Sequence, residues 1–390
     1  MASIEILDKG NKAKERYKVT YDIRSWNEKR HRKSKTFPVG TGIREVERFK
    51  RQVEIDYLEG ETIDMSKRKF DDFAKEYFDN YICTLSETTQ NNYKRLYYND
   101  VNGLQNTFGN IQLSMIKPLT IQKYVNNLKN KGVSPKTIRN YVMLLHTMFN
   151  KAMRLRYIKR DFNPTEEVDL PKVRKQRVEA YTEDELKVLI QIMDDCKDEI
   201  LRSVINIMIG TGMRRGEVCG LRIENYNSTA KEIHITETIV HAGKKDIIKE
   251  PKSDSGNRTI SLPETVVRVL DDLVLRYKKN KLKYGKNFHN SGYLICKEDG
   301  SPFPPTLLTN RFRKYMDKHS DKLRYLSLHK IRHTFASLSI KYNMDIKALQ
   351  ETLGHSDAMT TLNTYSHGYK SATQNQAQII EKTIFNKEVS

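Results

Sequence analysis

The chain is short of the features that would place it in a membrane, a secreted scaffold or a metalloprotein. Its 390 residues contain no run of 18 apolar residues, which excludes a transmembrane helix. The N-terminal stretch MASIEILDKGNKAK has neither an apolar core nor a small-residue cleavage site, which argues against a signal peptide and for a cytoplasmic protein. The four cysteines, Cys83, Cys196, Cys219 and Cys296, are scattered, without CxxC or Cys/His spacing. They read as reduced structural thiols, and no metal site is expected. A GxxxxGK[ST] phosphate loop, a clear metal-chelating carboxylate set, internal repeats and low-complexity tracts are all missing.

Negative charge is also in short supply. Against 69 Lys and Arg stand 49 Asp and Glu, a formal net charge of +20 with a sequence pI near 9.5. Such an excess implies a polyanionic partner, for which nucleic acid is the first candidate, through phosphate neutralisation and counterion release. A lysine-rich solvated surface is the competing account. With 37% hydrophobic and 30% charged residues the composition is globular but polar, and the length suits two or three domains.

The charge is concentrated near the start, where ten Lys/Arg between Lys12 and Lys35 face only Glu15, Asp22 and Glu28. Tyr17, Val19 and Tyr21 alternate with polar positions, SWNEK offers turn chemistry, and KSKTFPV can return as a second strand. Val46, Phe49, Val53 and Tyr57 follow at helical spacing, so one helix can cover a small basic sheet. After a polar seam, Phe70 to about Asn163 reads as helices, with start signals at Ser86 and at Ser134 before Pro135. Lys94, Arg95, Lys136, Arg139, Lys151 and Arg154 lie on their faces.

Pro164 and Pro171 mark a linker, and Thr182 with Glu185 forms a capping-box pattern that opens a larger domain near Tyr181. There KEIHITETIV, DIIKEPK and RTISLP read as three short strands among helices. The fold class is therefore multidomain, a small basic α+β N-terminal domain, an all-α domain, and a mixed, mainly α domain with a small antiparallel sheet.

Five motifs in four stretches of the last domain hold the side chains that phosphoryl transfer requires, the last stretch carrying two of them. In TGMRRGEVCGL, Arg214 and Glu217 share a helical face, the pattern also of a surface ion pair. Lys252 sits in the turn of KEPKSDSGNRTISL, where it can swing into a groove or be merely solvated. LSLHKIRHTFASL places His329 and Arg332 side by side at i,i+3, with Leu328, Ile331 and Phe335 pointing elsewhere. A histidine at a helix start and a surface arginine give the same pattern. In LGHSDAMTTLNTYSH, Gly354 ends a helix whose body is DIKALQETL, His355 lies at the junction, and Tyr365 follows ten positions later. A packing role is the mundane alternative for that tyrosine.

Taken together, Arg, Lys, His-x-x-Arg, Leu-Gly-His and Tyr in that order resemble the signature of the tyrosine recombinases, the integrases of phages and conjugative transposons. The resemblance carries over as Arg214, Lys252, His329, Arg332, His355 and Tyr365, with Glu217 at the acidic position after the first arginine. It implies an arm-type DNA-binding domain at 1–62 with a three-stranded sheet and a helix, and a helical core-binding domain at 66–165. A linker at 166–180 and a catalytic domain at 181–390 complete it. In these terms Lys18, Arg24, Arg30, Arg32, Lys33, Lys35, Lys94, Arg95, Lys136 and Arg139 are candidate DNA contacts.

The implied reaction is site-specific strand exchange through a 3′-phosphotyrosine and a Holliday junction, without metal, ATP or other cofactor. Arg214, Arg332 and His355 would stabilise the phosphate, Tyr365 would attack, His329 would act as base and Lys252 as acid. Implied partners are double-stranded DNA with core and arm sites and a homotetramer on synapsed DNA, with an excisionase and a DNA-bending host factor as accessories. The segment ATQNQAQIIEKTIF resembles the family's protomer-contacting tail, or packs on its own domain. Two other functions fit some of the residues: a type IB topoisomerase-like nicking and resealing enzyme, and a non-catalytic DNA-binding regulator.

Overall fold

The alternation of apolar and polar residues at the N-terminus builds a sheet before any helix. The computed structural model describes residues 2–10, 15–25, 30–58, 63–64, 68–158, 162–173, 179–242, 245–249 and 256–354. They fall into two compact units, Met1–Lys175 and Gln176–Ser390.

In the first unit, β1 (Ser3–Leu7), β2 (Arg16–Ser25) and β3 (Arg30–Thr36) form an antiparallel sheet in that order. Val19 is fully buried with Ala2, Phe37 and Val46, the last from α1 (Ile43–Leu58), which covers the sheet as its spacing predicts. Phe49 of α1 meets Tyr21 and Phe37 edge-on, at centroid distances of 5.9 and 5.4 Å. The side chain of Tyr57 lies outside the described residues. The sheet has a fourth member, β4 (Ile63–Asp64), which pairs parallel to β2 at Arg24 and Ser25, beyond the reach of β1. So short a strand, paired with a partner some forty positions earlier, leaves no periodic trace in the sequence.

The helical body comprises α2 (Phe70–Asn80), α3 (Glu87–Tyr98), α4 (Leu104–Phe108), α5 (Pro118–Asn130) and α6 (Pro135–Arg154). Its core is aromatic, with Phe70 against Phe73, Tyr97, Phe108 and Phe149. Ser134 caps α6 by accepting the Thr137 N–H at 3.2 Å, with Pro135 in the first turn. Ser86 behaves differently, because its hydroxyl bonds those of Thr88 and Thr89 at 3.1 and 2.9 Å. The segment after α6 does not leave at once. Thr165 Oγ1 lies 2.8 Å from His146 Nδ1, Val168 and Leu170 pack on the helical core, and Arg139 Nε donates to the Pro171 carbonyl at 3.0 Å.

The second unit is organised around a helix with a broad apolar face. It runs α7 (Glu183–Asp194), α8 (Glu199–Thr211), α9 (Arg215–Cys219), β5 (Tyr226–Asn227), β6 (Glu232–Ile235), β7 (Thr238–Ala242), β8 (Lys245–Lys249), β9 (Arg258–Ser261), α10 (Glu264–Tyr284), α11 (Pro305–Asp317), α12 (Leu328–Lys341) and α13 (Ile346–Leu353). The capping box at Thr182 and Glu185 is closed, with bonds of 3.2 and 2.7 Å. Helix α8 buries Ile200, Leu201, Val204, Ile205, Ile207 and Met208, and α10 and α12 pack against it.

KEIHITETIV does not form one strand. It divides at Thr236 and Glu237 into β6, which joins β5 and β9, and β7, which among the described residues pairs with β8. The break has a local cause, since Thr236 accepts from Asn225 Nδ2 at 2.8 Å and Glu237 from Arg222 Nε at 2.8 Å. Both side chains are therefore turned toward the segment before β5. No helix among the described residues is long and apolar enough to cross a membrane.

Candidate active site

The second unit brings three arginines to one helix end. Helix α8 stops at Gly212, whose φ of 65° is left-handed, and the chain turns into the five-residue α9 with Arg214 at its N-cap. Glu217, three residues on, is buried. One of its oxygens accepts the Arg214 backbone N–H at 2.8 Å, and the other accepts Arg214 Nη1 at 2.7 Å. The ion pair that the sequence offers is real, but it is an anchor: Arg214 remains 41% exposed while its carboxylate is 7% exposed. Its other terminal nitrogen, Nη2, donates to the Gly354 carbonyl at 3.2 Å.

Arg332 occupies a different environment from the one its spacing suggests. It is 2% exposed and shares the buried side of α12 with Leu328 and Ile331, so it is not the surface arginine that the same spacing allows. Burying a guanidinium is costly unless its donors are matched. Here Nη1 donates to the Gly212 carbonyl at 2.9 Å and Nη2 to the Leu353 carbonyl at 2.6 Å. Both acceptors are helix-terminal carbonyls that lack an intrahelical partner, so the site and the two helix ends complete each other.

His329, one turn earlier on α12, is exposed, and its ring meets that of His333 edge-on at 4.5 Å between centroids. Partial desolvation holds its pKa below the usual imidazole value, and the charges of Arg332, Arg214, Lys330 and Arg215 push it down further. The imidazole is therefore neutral at pH 7 and able to accept a proton.

A fifth residue of the cluster, Arg258, is not one of the sequence-motif residues. Arg258 opens β9, points inward with Ile260, and is 8% exposed. Its Nη2 and Nη1 reach the two oxygens of Glu217 at 2.9 and 3.3 Å, and its Nε donates to the Thr352 carbonyl at 2.7 Å. Burial alone would raise the pKa of Glu217, but the hydrogen bond and charge of Arg258, with Arg214, hold it below the usual carboxylate value. The signal available in RTIS was the alternation itself, which assigns an arginine to the same face as a core isoleucine.

Thr352, Leu353 and Gly354 thus offer three successive carbonyls, each held by a different guanidinium. They close α13, whose start Asp345 caps and which ends, as its sequence predicts, at left-handed Gly354. Three cations at the negative pole of a helix are well placed. The next residue is His355. It lies outside the described residues, as do Lys252 and Tyr365. Among the described residues, no group of three or more His, Cys, Asp or Glu is arranged to hold a metal ion.

Residues 179–372 match the Phage integrase family, and residues 69–129 match the N-terminal SAM-like domain of phage integrases. The chain belongs to the phage integrase family. Its enzyme class is that of the tyrosine recombinases.

Similar proteins include a XerC-like tyrosine recombinase of Caldanaerobacter subterraneus, 27% identical over 273 residues, 66% of this chain and 68% of the relative. The prophage ps2 probable integrase of Lactococcus lactis is 25% identical over 342 residues, covering 81% and 84%. Among solved structures, the Tn1549 transposon integrase in complex with a circular intermediate DNA superposes with a TM-score of 0.64 at 23% identity, covering 79% of this chain and 98% of that one. At that identity the likeness concerns the fold.

The basic residues of this integrase-family chain's first unit are only partly available to a ligand. Lys33 is exposed on β3; Arg32, 73% exposed, reaches the buried Asp22 at 3.5 Å. Lys35 lies over the Phe37 and Phe49 rings at 4.9 and 4.4 Å, and Lys18 is 3.9 Å from Glu5. Arg24 and Arg30 are register partners on β2 and β3, but their side chains lie outside the described residues. On the helical body, Lys94, Arg95, Lys136 and Arg139 are all exposed, on α3 and α6, which pack together.

Proposed function

We propose that this recombinase integrates and excises a mobile genetic element by cutting and rejoining double-stranded DNA at specific sites, with Tyr365 as nucleophile. The observation that carries the reading is the set of three guanidiniums on the last three carbonyls of the helix that leads into His355. Arg214 and Arg332 meet the negative charge that grows on the nonbridging phosphate oxygens, a task for preorganised donors, and His355 adds a third.

The Tyr365 oxygen attacks phosphorus, its proton passing to neutral His329. The bond from phosphorus to the 5′ oxygen breaks as Lys252 protonates that oxygen. A 3′-phosphotyrosine and a free 5′ hydroxyl remain. That hydroxyl then attacks the phosphorus of a partner's phosphotyrosine, giving its proton back to Lys252, while the bond from phosphorus to the tyrosine oxygen breaks and His329 returns the tyrosine's proton; the phosphodiester is restored and a Holliday junction results. Bond count is conserved at each step, so neither ATP nor an oxidant is consumed.

In this reading residues 1–62 bind arm-type sites, 66–165 and 181–390 clasp the core site, and 166–180 joins them. The active assembly is a homotetramer on two synapsed duplexes, assisted by an excisionase and a DNA-bending host factor. A nicked suicide duplex of the core site provides the test. The wild-type chain should form a covalent adduct that survives denaturing gels and EDTA, and Tyr365→Phe should form none. Failure of the wild type to form an adduct would leave a binding protein. Relaxation of supercoils without any joining of two marked sites would point to a topoisomerase.

A further inference from the structure

We propose that Arg258 is a positioning residue for strand cleavage, fixing through Glu217 the direction of Arg214 and through the Thr352 carbonyl the end of α13, after which His355 follows in the sequence. The inference rests on the strand-transfer reading above. Arg258 spans elements far apart in the chain. It stands on β9, where Ile235 is its register partner, and its buried guanidinium contacts α9 and α13 at once.

Glu217 is the shared element. Its two oxygens take Arg258 from one side at 2.9 and 3.3 Å and the backbone and side chain of Arg214 from the other at 2.8 and 2.7 Å. A displaced carboxylate would re-aim the exposed guanidinium of Arg214. The Nε of Arg258 meanwhile holds a carbonyl two residues before Gly354, which Arg214 itself grips. One rigid fork therefore sets both partners of that last contact. Only arginine can do so, because its donors diverge in a plane toward several acceptors, whereas a lysine ammonium is a single mobile point charge.

A purely structural Arg258 would stabilise the fold and leave the chemistry of folded molecules alone. The two roles separate when cleavage is timed in single turnover at saturating core-site duplex, carrying either the natural phosphate or a neutral methylphosphonate at the scissile position. With Arg258→Lys, the phosphate substrate should be cleaved roughly tenfold to a hundredfold more slowly per folded molecule, while duplex affinity changes by less than about threefold. On the methylphosphonate the deficit should shrink to about threefold or less, since methyl replaces one nonbridging oxygen and removes one of the two negative charges that the transition state otherwise presents to Arg214.

An equal deficit on both substrates, or a wild-type rate on phosphate, overturns the proposal. If Arg258→Lys does not fold, Arg258→Met with Glu217→Leu replaces the buried pair by apolar residues of similar volume, and should show the same dependence on substrate charge. A wild-type chain that forms no adduct on either duplex rejects the strand-transfer reading itself. A wild-type adduct with an unaltered Arg258→Lys rejects only the role of Arg258.

Discussion

The Nη2 of Arg332 donates to the Leu353 carbonyl at 2.6 Å, joining α12 to the end of α13 across a fully buried contact. Its Nη1 does the same for the Gly212 carbonyl at 2.9 Å. Arg332→Ala therefore strands two buried acceptors and leaves a cavity. The expected loss of stability is about 3 kcal/mol, read from urea unfolding at matched protein concentration. Cleavage by the folded fraction should fall by about a hundredfold or more. A variant with wild-type stability would show that these carbonyls find other donors.

His329 makes a prediction about pH. In the unfolded chain its imidazole titrates near 6.5, whereas partial desolvation and the surrounding cations hold it lower in the folded unit. Between those two values the unfolded state binds more protons. The contribution of His329 to stability is therefore complete above pH 6.5 and diminishes as pH falls through that window. As a base it is active only when neutral. The single-turnover cleavage rate should stay level down to below pH 6.5, then drop with an apparent pKa under that value, and His329→Gln should remove this acid limb. A limb centred above 6.5 would assign the titration to another group.

What was legible in the chain is what short-range chemistry decides. The capping box at Thr182, the Ser134–Pro135 start of α6 and the Gly354 stop of α13 each depend on residues within four positions, and each stands as read. The family motif fixed the order of the candidate site in the same local way. Arg258 escaped because its acceptors lie 41 and 94 positions away, and a buried arginine declares itself only against those partners. Spacing alone sets Arg332 apart from Leu328 and Ile331 for the same reason, since the carbonyls that let it be buried belong to other elements. The division of KEIHITETIV turns on Arg222 and Asn225, residues outside the strand pattern.

Gly212 tests how tightly this helix end is built. Its φ of 65° disfavours any side chain, and a Cβ there would lie 2.4 Å from Phe335 Cδ1 and 3.0 Å from Leu353 Cδ2. Gly212→Ala combines backbone strain with overpacking, about 2–4 kcal/mol together. Because the Gly212 carbonyl is also an acceptor for Arg332, the relief of that clash should disturb the arginine as well. The check is a denaturation midpoint lowered well beyond that of an exposed Gly42→Ala control, whose Cβ meets nothing within 4 Å. Equal midpoints would mean that the ring of Phe335 moves aside freely.

The basic face of the helical body separates electrostatics from architecture. If Lys94 and Lys136 neutralise phosphates, each alanine variant should lower the slope of log affinity against log salt by about one for a core-site duplex, with little change in folding. Arg139 should behave otherwise, because its Nε holds the Pro171 carbonyl at 3.0 Å and so ties the chain after α6 to the helical body. Arg139→Ala should change the salt slope by less than one while making the segment around Pro171 more susceptible to limited proteolysis. Anisotropy titrations over a range of KCl, run beside timed digestion, give both readings. A full unit of slope lost with unchanged proteolysis would make Arg139 a phosphate contact and leave the anchoring of Pro171 to Val168 and Leu170.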